Sequence, residues 1–152
     1  MIIYRLATTE FAGDLSGEGA KIYGGRWNPV GIAGVYFSEF ISLAILEILV
    51  RAGKFTAPDA YTLLSIEIPE ESIASIELKK LKKGWQDHIE YTRSIGEDFI
   101  KMNKTLALKF PSVIFPQEHN YLMNPLHNDL KKVKMVNSEL LDLDKRLLQT
   151  IQ

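Results

Sequence analysis

Gly24-Gly25-Arg26-Trp27-Asn28-Pro29-Val30-Gly31, followed by Ile32-Ala33-Gly34-Val35-Tyr36-Phe37, is the stretch on which the reading of this chain turns. A glycine pair permits close backbone approach. Arg26 adds a permanent charge with a planar fork of donors suited to a phosphate or a carboxylate. Asn28-Pro29 then breaks regular structure and marks a tight turn. The following run, Gly31 to Phe37, has the composition of a strand. The segment is therefore an arginine presented by a shaped loop that feeds directly into a sheet.

Outward from this loop, short strands alternate with helices. Ile2 to Leu6 predicts an opening strand, and Thr8 to Gly19 a polar loop. Glu39 to about Arg51 predicts a helix, with Ser38 or Ser42 as its cap and Gly53 as its stop. Its residues Leu43, Leu46, Ile48, Leu49 and Val50 leave little polar surface, so it is expected to be well buried. Tyr61 to Ile68 predicts a strand closed by Pro69, and Ser75 to Lys83 a strand end followed by a basic turn. Trp85 to Met102 predicts an amphipathic helix. Leu106 to Lys109 leads into Pro111 to Pro116, read as a strand bracketed by prolines. Asn120 to Asn124 and Lys131 to Val136 predict two further strands, and Leu140 to Leu148 a final short helix. This order indicates an α+β fold, in one compact domain of short strands and helices spanning residues 1–152.

Composition narrows the function classes. Of the 152 residues, 46% are hydrophobic and 24% charged, and the formal net charge is −1. That balance argues against a strongly electrostatic nucleic-acid binder. The lysines at 79, 80, 82 and 83 read as a solvated turn. The absence of cysteine removes disulfides, thiolate metal sites and cysteine nucleophiles, and fits a cytoplasmic protein. MIIYRLATTEF lacks the pattern of a signal peptide, and no apolar run is long enough to span a membrane. His88, His119 and His127 have no metal-site spacing, so no metal is expected. The glycine-rich block is neither a Walker loop nor a dinucleotide fingerprint.

Three blocks in order carry a resemblance. The first is Gly17-Glu18-Gly19-Ala20 with Tyr23 to Gly31. The second is Tyr36-Phe37-Ser38-Glu39 with Leu43-Ala44-Ile45-Leu46-Glu47. The third is Pro111-Ser112-Val113 with Asn120 to His127. Together they resemble the RES-domain family, over most of the chain. The resemblance implies a toxin of a bacterial toxin–antitoxin pair, with a helix-turn-helix (Xre-type) antitoxin as partner. It also implies a fold like that of ADP-ribosyltransferases and the consumption of NAD, by hydrolysis, phosphorolysis or transfer of ADP-ribose to a protein. A homodimer is compatible with it; direct nucleic-acid or membrane binding is not expected.

Breaking the nicotinamide–ribose bond produces an oxocarbenium-like ribose, as in glycoside hydrolysis. The site needs donors for the pyrophosphate, a carboxylate near the ribose and an aromatic surface for the nicotinamide. Arg26 is the expected diphosphate or ribose ligand; the alternative is that it pairs with a carboxylate and pins the loop. Glu47 sits in an apolar helix, where an unpartnered carboxylate is costly, so it either faces a cleft or is paired. Glu39, two turns earlier, is the alternative carboxylate, or a residue favouring the helix start. Tyr36 is a candidate for stacking on nicotinamide or bonding a ribose hydroxyl, or else a core tyrosine. Ser112 is expected to position NAD or Glu47 rather than act as a nucleophile. Arg5, Tyr23, Gly25 and Asn120 complete the expected NAD contacts, with Asn120 and Asn124 shaping the cleft rim. Two rival readings stay open: a nucleotide-binding module without turnover, and a protein-interaction domain whose Gly-Arg turn is structural.

Overall fold

The computed structural model describes residues 1–53 and 60–148, so the expectation of one domain over 1–152 extends beyond the described residues. Seven strands form one sheet: β1 (Ile2–Thr8), β2 (Val35–Ser38), β3 (Tyr61–Glu67), β4 (Ile73–Ser75), β5 (Ala107–Pro111), β6 (His119–Met123) and β7 (Lys134–Leu140). Their order is β4-β5-β6-β2-β1-β3-β7. Only β4 and β5 pair in parallel; the other neighbours are antiparallel. The helices are α1 (Glu18–Tyr23), α2 (Ile41–Ala52) and α3 (Ile89–Met102), with short 3-10 turns between. This is the expected α+β class.

Strand alternation divides the core. Ile3, Val35, Phe37, Leu64, Ile66, Tyr121 and Met123 pack on one face, against Leu15, Ile73, Leu130 and Val133. On the other face, Leu6 and Leu63 meet Ala44, Ile48 and Leu49 of α2. Beside them on that face, Leu108, Phe110 and Leu122 meet Trp27, Trp85 and Ile100. Helices α2 and α3 therefore cover the same side of the sheet.

Several boundaries differ from the sequence reading. The loop expected over Thr8 to Gly19 gives way at Glu18 to a helix that runs to Tyr23, after Gly17 turns the chain at a φ of 76°. The strand after the Gly-Arg turn starts only at Val35. The expected helix from Trp85 divides into a 3-10 turn, Trp85–Asp87, and α3, because His88 between them leaves helical dihedrals at φ −118°, ψ 77°. The strand expected at Pro111 to Pro116 ends at Pro111, because the Ser112 hydroxyl accepts the N–H groups of Ile114 (3.0 Å) and Phe115 (3.4 Å) and turns the chain. Asn128–Lys132 is a 3-10 turn, and the last strand begins at Lys134. It runs through Leu140, paired along β3, so the terminal helix shrinks to a 3-10 turn at Lys145–Leu148. Neither Ser38 nor Ser42 caps α2: its N-cap is Phe40, with no side-chain cap bond. Gly53 does end it, at φ 76°, donating its N–H to the Leu49 carbonyl.

Candidate active site

Between α2, the Gly-Arg loop and the ends of β5 and β6 lies a cavity of about 230 Å³, bordered by Arg26, Trp27, Tyr36, Glu47, Asn120 and the 110–114 turn. Its walls are mainly apolar. Trp27 and Phe110 are both buried, with ring centroids 4.4 Å apart. Val50, Val113 and Ile114 add aliphatic surface.

The loop is built from within. Asn28 is fully buried and donates its amide to the carbonyls of Ala20 (2.9 Å) and Ile32 (2.8 Å). The Tyr36 hydroxyl donates to Asn28 Oδ1 at 2.6 Å and accepts the Trp27 N–H at 2.9 Å. Burial raises the Tyr36 phenol well above its ordinary value, with smaller opposing effects from its hydrogen bonds and from Arg93. Tyr36 thus lines the cavity with its ring, while both hydrogen-bonding roles of its hydroxyl are used by the loop.

Arg26 donates one terminal nitrogen to the Gln86 carbonyl. Its Nε is buried and has no hydrogen-bond partner, the one such side-chain atom among the described residues. A buried donor left unpaired costs on the order of 1–3 kcal/mol.

Glu47, from α2, faces the cavity. Asn120 Nδ2 donates to its Oε1 at 2.6 Å, and Ser112 Oγ donates to the same oxygen at 3.0 Å. Asn120 is fixed in turn by Ser38, whose hydroxyl donates to Asn120 Oδ1 at 2.7 Å. These contacts join α2, β2, β6 and the turn after β5. They occupy Oε1 and leave Oε2 without a hydrogen bond among the described residues. Ser38, read from sequence as a cap, is therefore part of the carboxylate network. Its signal was its place in the strand: it is the register partner of Asn120 across β2 and β6.

Three expected NAD contacts are placed elsewhere. Arg5 shares the face of Ile3, on the side of the sheet opposite the cavity, and donates to the carbonyls of Ala12 and Asp14. Burial lowers its pKa, partly offset by Asp14 and reinforced by Arg51. Tyr23 ends α1 with 81% of its surface exposed and does not line the cavity. Glu39 also turns to the opposite face, where Oε2 accepts from the His119 backbone N–H at 3.1 Å and lies 3.1 Å from its ring. Lys109 approaches the other Glu39 oxygen at 3.8 Å, and the buried Tyr121 hydroxyl nearby is pushed up to about 12 by burial and by Glu39. Gly25 is close-packed for an internal reason, since a Cβ would lie 2.5 Å from both Asn28 Oδ1 and the Tyr36 hydroxyl. Asn124 lies off the rim as well, bonding Asn103 at 2.8 Å beside the end of α3. The alternation of strand side chains explains why Arg5 misses the cavity; sequence proximity alone does not reveal the face.

Among the described residues, no group of three or more His, Asp or Glu side chains is placed to hold a metal. No helix among them is long and apolar enough to cross a membrane.

The model of the RES domain matches residues 2–144. A protein named Toxin Res from Photorhabdus laumondii is 35% identical over 153 residues, covering 98% of each chain. A Prs ADP-ribosylating toxin from Sphingobium sp. is 42% identical over 139 residues, covering 86% of each. The fold is similar to a chain in the crystal structure of the M. tuberculosis MbcT–MbcA toxin–antitoxin complex, with a TM-score of 0.74 and 19% identity, covering 99% of this chain and 87% of that one. With a family match over nearly its whole length, and relatives of this identity and coverage, the chain belongs to the RES domain family.

Proposed function

We propose that this chain is the toxin of a toxin–antitoxin pair and consumes NAD by cleaving the bond between nicotinamide N1 and ribose C1′. One observation carries the reading. The cavity is bordered both by Arg26, one of whose guanidinium nitrogens is buried and unpartnered, and by Glu47, a carboxylate held through only one of its oxygens. The first fits an anion such as the diphosphate. The second leaves Glu47 Oε2 available to a cationic ribose. The names of the Res and Prs relatives support the toxin reading.

In this mechanism the N1–C1′ bond breaks with its electron pair going to nicotinamide. That group leaves neutral, because its ring nitrogen was already cationic, and no general acid is needed. Positive charge develops at C1′ and the ring oxygen. Glu47 stabilises that charge, and Asn120 and Ser112 keep its carboxylate from rotating away. The nucleophile then forms a new bond to C1′ with its own electron pair, phosphate as an anion and water or a protein hydroxyl with loss of its proton to solvent.

The decisive assay is loss of NAD from purified, antitoxin-free protein, with and without phosphate and with candidate acceptor proteins. We expect free nicotinamide in stoichiometric amounts, and Glu47→Gln to lower the rate by orders of magnitude while the protein stays folded. No NAD loss in any condition from folded protein would overturn the reading. Transfer of ADP-ribose to a protein is the second reading, favoured by the name of the 42%-identical relative. The product opposite nicotinamide distinguishes it from hydrolysis and phosphorolysis. The partner we infer is an antitoxin with a helix-turn-helix part that blocks this cavity, and the site of action is the cytoplasm.

A further inference from the structure

The loop that carries Arg26 is gripped by one helix at three successive carbonyls. Arg93 Nε donates to the Gly25 carbonyl at 2.8 Å. Thr92 Oγ1 donates to the Arg26 carbonyl at 2.6 Å. The Trp27 carbonyl lies against Gly96, where an added Cβ would overlap it. All three contacts come from α3, more than sixty residues along the chain from the loop.

Arg93 is the member whose presence needs explaining. A carbonyl can be satisfied by a neutral donor, yet this one receives a guanidinium. The nearest carboxylate, Glu90, is 3.9 Å away and 86% exposed, so that pair is weak. The backbone is cut back to admit Arg93: Gly24 sits at φ 72°, and a Cβ there would lie 2.9 Å from Arg93 Nη2.

The reason lies in the glycine pair. Gly24 and Gly25 impose little local preference on their peptide planes, so the direction of the Arg26 side chain depends on the contacts that hold the Gly25–Arg26 peptide. Rotating the Gly25–Arg26 peptide would swing the Arg26 side chain away from the cavity that it borders. The bond from Arg93 to the Gly25 carbonyl opposes that rotation at the peptide concerned.

We propose that Arg93 is a positioning residue, which by holding the Gly25 carbonyl keeps the Arg26 side chain at the cavity, toward the anionic group of the substrate. This rests on the reading that the cavity takes NAD.

The test is a double-mutant cycle on ligand affinity. ADP-ribose, which keeps the diphosphate and both riboses of NAD, is titrated calorimetrically into wild type, Arg26→Ala, Arg93→Ala and the double variant. Loss of a charged hydrogen bond weakens binding roughly ten- to hundredfold, and each single variant is expected in that range. The double variant is expected to bind no more weakly than Arg26→Ala alone, because Arg93 acts only through Arg26. Thermal unfolding is followed in parallel. If Arg93→Ala does not fold, Arg93→Gln, with a shorter neutral donor, takes its place in the cycle. Additive losses in the double variant would overturn the proposal and make Arg93 a direct ligand or a general support. Wild-type affinity in the Arg93 variant would overturn it while leaving the NAD reading in place. Wild-type protein that neither binds ADP-ribose nor consumes NAD would overturn both.

Discussion

Asn120 donates its amide to Glu47 Oε1 at 2.6 Å, joining β6 to α2 across 73 residues of sequence. The amide cannot flip without losing two bonds, because Ser38 donates to its oxygen at 2.7 Å. Ser112 adds a second donor to the same Glu47 oxygen. The orientation of the carboxylate is thus imposed by three side chains, each from a different segment.

Asn120→Asp tests that orientation through charge. The new carboxyl replaces a donor with an acceptor at hydrogen-bond distance from Glu47, in a buried position. The two groups meet comfortably only by sharing a proton. The stability of the variant relative to wild type should therefore be highest below about pH 4, where the unfolded carboxyls are protonated too, and fall as pH rises, by about 3 kcal/mol at pH 8. Unfolding temperatures measured near pH 4 and pH 8 check this; a pH-independent difference from wild type would count against the arrangement.

Ser112→Ala separates positioning from nucleophilic attack. The variant loses one of two donors to Glu47 and the hydroxyl that turns residues 112–115. NAD consumption should fall about tenfold, the equivalent of roughly 1.4 kcal/mol, and remain measurable. Complete loss of activity in a folded variant would make the serine a reacting group.

Gly96→Ala would strengthen an isolated helix by about 1 kcal/mol. Here the added methyl meets the Trp27 carbonyl, a backbone atom that cannot rotate away. Overpacking should cost about 3 kcal/mol and outweigh the propensity gain. At the scale of this chain that net loss lowers the unfolding temperature by about 4–8 °C. A thermal melt at or above that of wild type would show that α3 and the loop are not in close contact.

Tyr36 gives the loop a high-pH limit. Its folded-state value lies above the ordinary one, so the folded protein holds the proton more tightly than the unfolded chain. That contribution is fully present below the ordinary tyrosine value of about 10 and is lost as pH rises toward the folded value. Stability should decline above about pH 10, because tyrosinate cannot donate to Asn28. Tyr36→Phe should lack this part of the decline and be less stable at neutral pH, with Asn28 Oδ1 and the Trp27 N–H each losing a partner. Chemical denaturation at pH 7 and pH 10.5 compares the two.

Much of this was legible in the sequence because it is local. The apolar run of Ile41 to Val50, stopped by Gly53, specifies α2 and makes Glu47 conspicuous within it. Asn28-Pro29 marks the turn that displays Arg26. The boundaries that moved depend on single residues: His88 leaving helical dihedrals, or the Ser112 hydroxyl collecting two N–H groups. The largest change, Leu140 in a strand instead of a helix, follows from pairing with β3, which supplies hydrogen bonds that the local sequence does not reveal.

The sequence by itself determined the alternation of elements and the family, and offered Arg26, Glu47, Tyr36, Ser112 and Asn120 as site candidates together with Arg5, Tyr23, Gly25 and Glu39, since composition, turn chemistry and motif order are properties of neighbours along the chain. Only the tertiary structure decided that these five meet, that Ser38 joins them, and that Arg5, Tyr23 and Glu39 do not. It also decided which oxygen of Glu47 and which nitrogen of Arg26 remain unpaired. The reason is that a strand side chain acquires its surroundings from sheet order and face, and that the bonds fixing Glu47 and Arg26 close over some sixty to eighty residues.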